Sequence, residues 1–325
     1  MKLRIYFALS FLSIVITSCS SEDDISNSPN TENEEKIYFG TVNIRTQDQL
    51  VVFASNNYTK INGNVQLVGS DIVDTSNLSS IEFINGDLFI LNTNIINLNG
   101  FANVNLANDS SIEIRNNNNL QDISGLLNIK NRLKYLWVSY NSVMSNIDGL
   151  RNISNVTHGI EIVENHSLSN LNGLLGINNS VEFLQISNND SLINTEGLSN
   201  IPSINIFYFN NNDAITSLNE MSSLTHIGSN FYLIENDKLE DINGLNSLET
   251  CQHLTIQENI QLKNLDGLIN LKSVSDGGMR ITDNISLRDF CGLSLISTIS
   301  TVGYNIRDNF YNPTKDDIKN GNCSI

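Results

Sequence analysis

Apolar positions along the middle of the chain fall two apart in short bursts: Ile112 and Ile114, Leu136 and Val138, Ile160 and Ile162, Leu184 and Ile186. The series continues through Phe207 and Phe209, Phe231 and Leu233, Leu254 and Ile256, and Met279 and Ile281. Alternation over so few residues predicts strands with one buried face. Three residues after each pair stands an asparagine: Asn117, Asn141, Asn165, Asn189, Asn212, Asn236, Asn259 and Asn284. Asn92 extends the row backward and Asn309 forward, at spacings of 23 to 25 residues, and Gly69 fills the slot before Asn92. Three residues past each slot comes an apolar side chain: Ile72, Ile95, Leu120, Met144, Leu168, Leu192, Ile215, Leu239, Leu262, Leu287. Eight past comes glycine (Gly100, Gly125, Gly149, Gly173, Gly197, Gly244, Gly267, Gly292), except where Asn77 and Glu220 stand. Such a period, held over many turns, marks stacked structural repeats.

These positions predict a mostly β protein, a parallel β-helix or solenoid of ~24-residue coils with a cap at each end. Stacked coils place their strands side by side at roughly 4.8 Å, so eleven rungs give a rod on the order of 50 Å long. The asparagine is expected to end the strand, turn the chain inward and bond both its own turn and the asparagine of the next rung, since an amide has a donor and an acceptor. The leucine fills the core. The glycine provides either a positive φ or a close backbone approach. Residues 61–310 hold the repeats, and residues 37–60 form the first cap, with a strand near Val42 to Ile44 and a helix near Gln47 to Ala54. Residues 311–325 form the last cap.

The N-terminus changes the picture of where such a rod works. Residues 1–18 carry Lys2 and Arg4, then an apolar run from Ile5 to Ile16 too short to span a bilayer, the pattern of a signal peptide. Ile16-Thr17-Ser18-Cys19 resembles a bacterial lipobox, which implies cleavage before Cys19 and its acylation. Each buried methylene of such an anchor contributes ~0.8 kcal/mol. Residues 19–36 are acidic and nearly free of large apolar side chains, and read as a disordered tether. Glu22, Asp23 and Asp24, close behind the cysteine, resemble the export signal of surface lipoproteins in Bacteroidota, which implies an outer-membrane lipoprotein exposed at the cell surface; a spacer on a periplasm-facing lipoprotein is the alternative. The formal net charge of −17 becomes −19 once Lys2 and Arg4 leave with the signal, an excess that disfavours nucleic acid and anionic headgroups as partners.

The motif L-x-I-x-x-N-x-x-L followed by G-L resembles the receptor L domain, the right-handed, leucine-rich-repeat-like β-helical module of the insulin and epidermal growth factor receptors. The opening "IYFGTVNIRTQDQL" and the ending "NPTKDDIKNGNCS" are similar to the termini of flavobacterial lipoprotein arrays of this kind, so the resemblance covers about residues 37 to 325. The chain departs from plain leucine-rich repeats, whose apolar residue sits two rather than three positions after the asparagine, and lacks the cysteine-rich modules of the animal receptors. The resemblance therefore implies a surface binding or adhesion scaffold, not receptor signalling.

Cys291 and Cys323 bracket the last rung, and a disulfide between them suits an extracytoplasmic protein. Closing such a loop contributes ~3–4 kcal/mol in the chain-entropy model. Cys251 is left over as a buried thiol.

Candidate ligand chemistry is confined to outward positions, four, two and one residues before each asparagine. The first row reads Glu113, Trp137, Glu161, Gln185, Tyr208, Tyr232, Thr255 and Arg280. Trp137, the single tryptophan, with Tyr140, Glu161, Tyr208 and Tyr232, makes the candidate face for a protein or glycan ligand; the competing reading is that stacked rings only brace the sheet. Glu235, Glu258, Asp283 and Asp308 form an acidic column that calls for a cation such as Ca²⁺ or for pairing with Arg280 and Arg307. No cofactor motif is present, and His158, His166, His226 and His253 lack metal-ligand spacing. The expectation is a non-enzymatic binding protein, with a structural or accessory envelope lipoprotein as the alternative. The enzymatic rival is a polysaccharide-degrading β-helix using the acidic column with Arg280.

Overall fold

The structure, a computed structural model, describes residues 35–296, 298–299 and 304–325. The expected signal peptide, Cys19 and the expected tether as far as residue 34 lie outside the described residues. From Glu35 onward, each coil adds a strand to a long parallel sheet, 14-stranded among the described residues. It runs from Val42–Ile44 through Val65–Val68, Leu88–Leu91, Ser110–Arg115, Leu133–Ser139, Val156–Val163, Val181–Ser187 and Ser203–Asn210. Asn230–Ile234, Thr250–Gln257, Ser273–Thr282 and Tyr304–Arg307 follow. Registers are direct, so Glu113, Trp137, Glu161, Gln185, Tyr208, Tyr232, Thr255 and Arg280 stand in one cross-strand row. Every alternating pair read from the sequence points inward and is fully buried, at about 1.5–3 kcal/mol per side chain.

A second parallel sheet, not anticipated from the sequence, joins Ile37–Phe39, Lys60–Asn62, Phe83–Ile84 and Asn105–Leu106. In these first coils a sharp corner separates the two strands of a coil; Gly63 there has φ +156°, and a Cβ on it would overlap the Gly40 carbonyl. Beyond them the strands run on through the corner and absorb it as register shifts, between Val156 and Gly159 and between Cys251 and His253.

The glycine column packs short three-ten turns, including Asn99–Phe101, Ser124–Leu126, Asp148–Leu150 and Asn172–Leu174, one on the next. Of the two roles foreseen for glycine, close approach is the one used. A Cβ at Gly125 would overlap the carbonyl oxygen of Leu98, and one at Gly149 that of Ile123. Each turn opens on an Asn or Asp three residues ahead of its glycine: Asn97, Asp122, Asn146, Asn170, Asn194, Asp241, Asn264 and Asp289. The Oδ1 of each accepts from the N–H two residues on, at 2.8–3.3 Å. Where Glu220 replaces the glycine, its carboxylate accepts from the buried Thr195 hydroxyl at 2.8 Å.

Both ends are closed. Helix Gln47–Ala54 starts on Thr46, whose hydroxyl accepts from the Gln49 N–H, and lays Leu50 and Ala54 over the first coil. Gln47 substitutes for a missing rung: its Nε2 donates to the Asp74 carbonyl while its Oε1 accepts from the N–H groups of Val73 and Asp74. Lys36, assigned to the tether from sequence, accepts at its carbonyl from the N–H groups of Thr59 and Lys60. At the far end the tail turns through helix Lys315–Lys319, held by a Thr314–Asp317 capping box, and its Cys323 carbonyl accepts from the Phe290 N–H at 2.9 Å. The Cys291–Cys323 disulfide fixes this return.

Candidate functional site: a buried amide file and the outer sheet face

The corner asparagines form one hydrogen-bonded file. From Asn117 through Asn141, Asn165, Asn189, Asn212, Asn236, Asn259 and Asn284 to Asn309, each Oδ1 accepts the backbone N–H of the preceding member at 3.0–3.3 Å. Each Nδ2 also reaches back to a strand carbonyl, as Asn141 does to Ile114 at 3.0 Å and Asn212 to Ile186 at 3.0 Å. Asn117 to Asn284 are wholly buried, so every amide group is paired where water cannot serve. The file ends on Asn312, whose Oδ1 accepts from Asn309.

Asn92 is a correction: it is not in the file. Thr93 holds that slot, and its N–H and hydroxyl both donate to Asn117 Oδ1, at 3.0 and 2.6 Å. Asn92 sits one step earlier, beside Asn116, whose Nδ2 donates to its Oδ1 at 3.1 Å. That step is a column of its own, left-handed at Asn92, Asn116, Tyr140, Glu164, Asn188, Asn211, Glu235, Glu258, Asp283 and Asp308, with φ from 52 to 64°. The inward turn is therefore made one residue ahead of the file. From Asn92 to Asp283 each corner is held by a bond between coils, as when Glu235 N–H donates to the Gln257 carbonyl at 3.0 Å.

Glu235, Glu258, Asp283 and Asp308 thus stand at corners rather than on the strand surface. Asp308 pairs with Arg307, but Arg280, the other foreseen partner, directs its Nε to Thr282 Oγ1 at 3.5 Å. Among the described residues no group of three or more His, Cys, Asp or Glu side chains is placed to hold a metal ion. Tyr140 also leaves the candidate face as drawn: it is a left-handed corner residue, and the ring stacked on Trp137 is Tyr135, at 4.8 Å. A second acidic column, of aspartates, escaped the sequence reading. Asp213 lies between Asp190 and Asp237, and burial, then these two neighbours, push its carboxyl above the ordinary range.

Two rows carry the outer face. Trp137 is half-buried between Glu113 and Glu161, and Arg115 reaches both glutamates, at 3.3 and 3.8 Å. The position two before the asparagine, expected outward, is partly closed over: Arg115 Nε donates to Ser139 Oγ at 3.1 Å, and Ser139 is buried. Four coils from Glu113, Tyr208 stacks on Tyr232 at 4.7 Å and 13°, with Phe183 5.8 Å from the first ring and His253 5.8 Å from the second. Burial, with Tyr232 alongside, raises the Tyr208 phenol above its usual pKa, so it stays a neutral donor. Beside this ridge, the strands of three coils frame a pocket of about 210 Å³ lined by Ser180, Glu182, Ser203, Asn205, His226 and Gly228. Nothing in the periodicity marks this pocket, because its residues share no column with the aromatics.

Cys251 is buried, and burial alone pushes its thiol up to about 12, which makes it an inert apolar filler. No helix among the described residues is long and apolar enough to cross a membrane. No protein-family model and no curated protein matches the chain.

Proposed function

We propose that this chain is a surface-anchored, non-enzymatic binding protein: a right-handed solenoid of receptor L-domain type, tethered to the outer membrane through an acylated Cys19, which uses the outer face of its long sheet for adhesion to or recognition of a protein or glycan surface. The supporting observation is the aromatic ridge. The core is complete without Tyr135, Trp137, Phe183, Tyr208 and Tyr232, yet these rings are gathered half-exposed on one face beside carboxylates, amides and an imidazole. Rings with an apolar body and a polar neighbourhood suit sugar faces and peptide surfaces. The envelope-spacer reading draws on the same stacking, since cross-strand ring pairs contribute roughly 0.2–1 kcal/mol each to the sheet.

The two readings part on a double variant. Trp137→Ala with Tyr208→Ala, in chain that retains its unfolding midpoint within a few degrees, is expected to abolish attachment of coated beads to the host-cell, matrix or glycan surfaces that hold wild type. Undiminished attachment to every such surface would remove the binding role and leave the spacer.

A further inference from the structure

Resting on that reading, we infer that the pocket beside the Tyr208–Tyr232 stack is a specificity subsite for a neutral, hydroxyl-rich glycan, whose ring face lies on the tyrosines while its hydroxyls enter the pocket. The backbone makes the pocket. Val181 and Leu184 are buried, so Glu182 and Phe183 both emerge between them, and in the next coil Asn205 and Ile206 do the same between Ile204 and Phe207. The alternation breaks here without a shift in register, where the strand rounds the corner of the coil, and so turns two adjacent side chains outward. Glycine at position 228 keeps the space open: a Cβ there would stand 2.6 Å from Asn205 Oδ1.

The lining is pre-arranged. Asn205 Nδ2 donates to Glu182 Oε2 at 3.2 Å, orienting the carboxylate while leaving its other oxygen as an acceptor. Ser203 donates to Ser180 Oγ at 2.6 Å, so the Ser180 hydroxyl is free to donate outward. His226 Nδ1 is engaged by Thr250 Oγ1, which leaves Nε2 to a ligand. Acceptors and donors interleaved in this way match vicinal hydroxyls, each of which both donates and accepts a hydrogen bond. One carboxylate oriented by an amide is not a metal set, and a net charge of −17 disfavours acidic polymers. Asn205 and Tyr208 lie three residues apart on one strand, roughly 10 Å, the reach of a short oligosaccharide. Phe183 follows the pocket residue Glu182 in the chain and stands 5.8 Å from Tyr208, which links the pocket to the stack.

Affinity electrophoresis of the full chain through gels containing hydroxyethyl cellulose, laminarin or mannan, with heparin and polygalacturonate as acidic counterparts, tests this. Retardation is expected with at least one neutral polymer and with neither acidic one. Glu182→Ala and Tyr208→Ala should each weaken it at least tenfold, and Gly228→Ser should match them; Glu182 is exposed, so its variant reports on binding even if the glycine variant folds poorly. Retardation lost with Tyr208→Ala but unchanged in Glu182→Ala would overturn the subsite. So would a chain that attaches to surfaces through Trp137 and Tyr208 yet is retarded by no neutral polymer; the broader binding role would then survive. A chain that neither attaches nor is retarded would lose both.

Discussion

At the scale of single residues, two adjacent positions divide the work of each corner. The left-handed residue makes the bend and the asparagine behind it fills the void with paired amide groups. A left-handed conformation costs a non-glycine residue roughly 1–2 kcal/mol, which bonds between coils such as Glu235 to Gln257 offset. The asparagine file was legible because few side chains offer both a donor and an acceptor at that length. The left-handed column was not, since Tyr140, Glu164 and Glu235 belong to types with no preference for that region. Asn92 was misread because "NTN" offers two asparagines around the threonine that takes the slot. The aspartate file gives a prediction with a definite sign. Asp213 has a raised pKa, so the fold favours its neutral form and loses stability as pH rises through that pKa. Asp213→Asn should therefore raise the thermal midpoint at pH 7, with the gain vanishing below about pH 4, where the wild-type carboxyl is protonated. An equal shift at pH 3 and pH 7 in calorimetry would show that charge is not the cause.

Among elements, the three-ten turns set how tightly coils stack. Their glycines were visible in the sequence, but which of two roles they serve was not, because close approach depends on the carbonyl of the coil before. Gly197 faces the carbonyl of Leu171, so Gly197→Ala should cost about 1–3 kcal/mol in urea unfolding, the range for overpacked sites. A neutral change would mean that the stack yields at no cost. The long strands were legible from their alternation. The second sheet was not, as its strands are two or three residues long and carry no period of their own.

Across the whole molecule, the coils form one connected core from Val42 and Ile44 to Ile318 and Cys323, with caps that reuse the rung pattern instead of ending it. The core could be drawn from the chain alone because each repeat restates the same columns. The proposed recognition surface was legible only in part: Trp137, Tyr208 and Tyr232 stand in the repeated row four before the asparagine, whereas the pocket depends on which side chains happen to meet at one corner, and that carries no period. The outer face can vary in this way because the coils are joined from within, through the buried amides, and that claim is the one to test.

Asn212 accepts from Asn189 at both N–H and Nδ2, each at 3.3 Å, and donates to Ile186, Asn210 and Asn236. Asn200, in an exposed position, makes one such bond, to the Leu175 carbonyl at 2.8 Å. Buried groups left unpaired cost ~1–3 kcal/mol each, so urea unfolding of Asn212→Ala beside Asn200→Ala should show a loss of about 3 kcal/mol or more for the first and under about 1 kcal/mol for the second. Equal, small losses would contradict an amide file that holds the coils together.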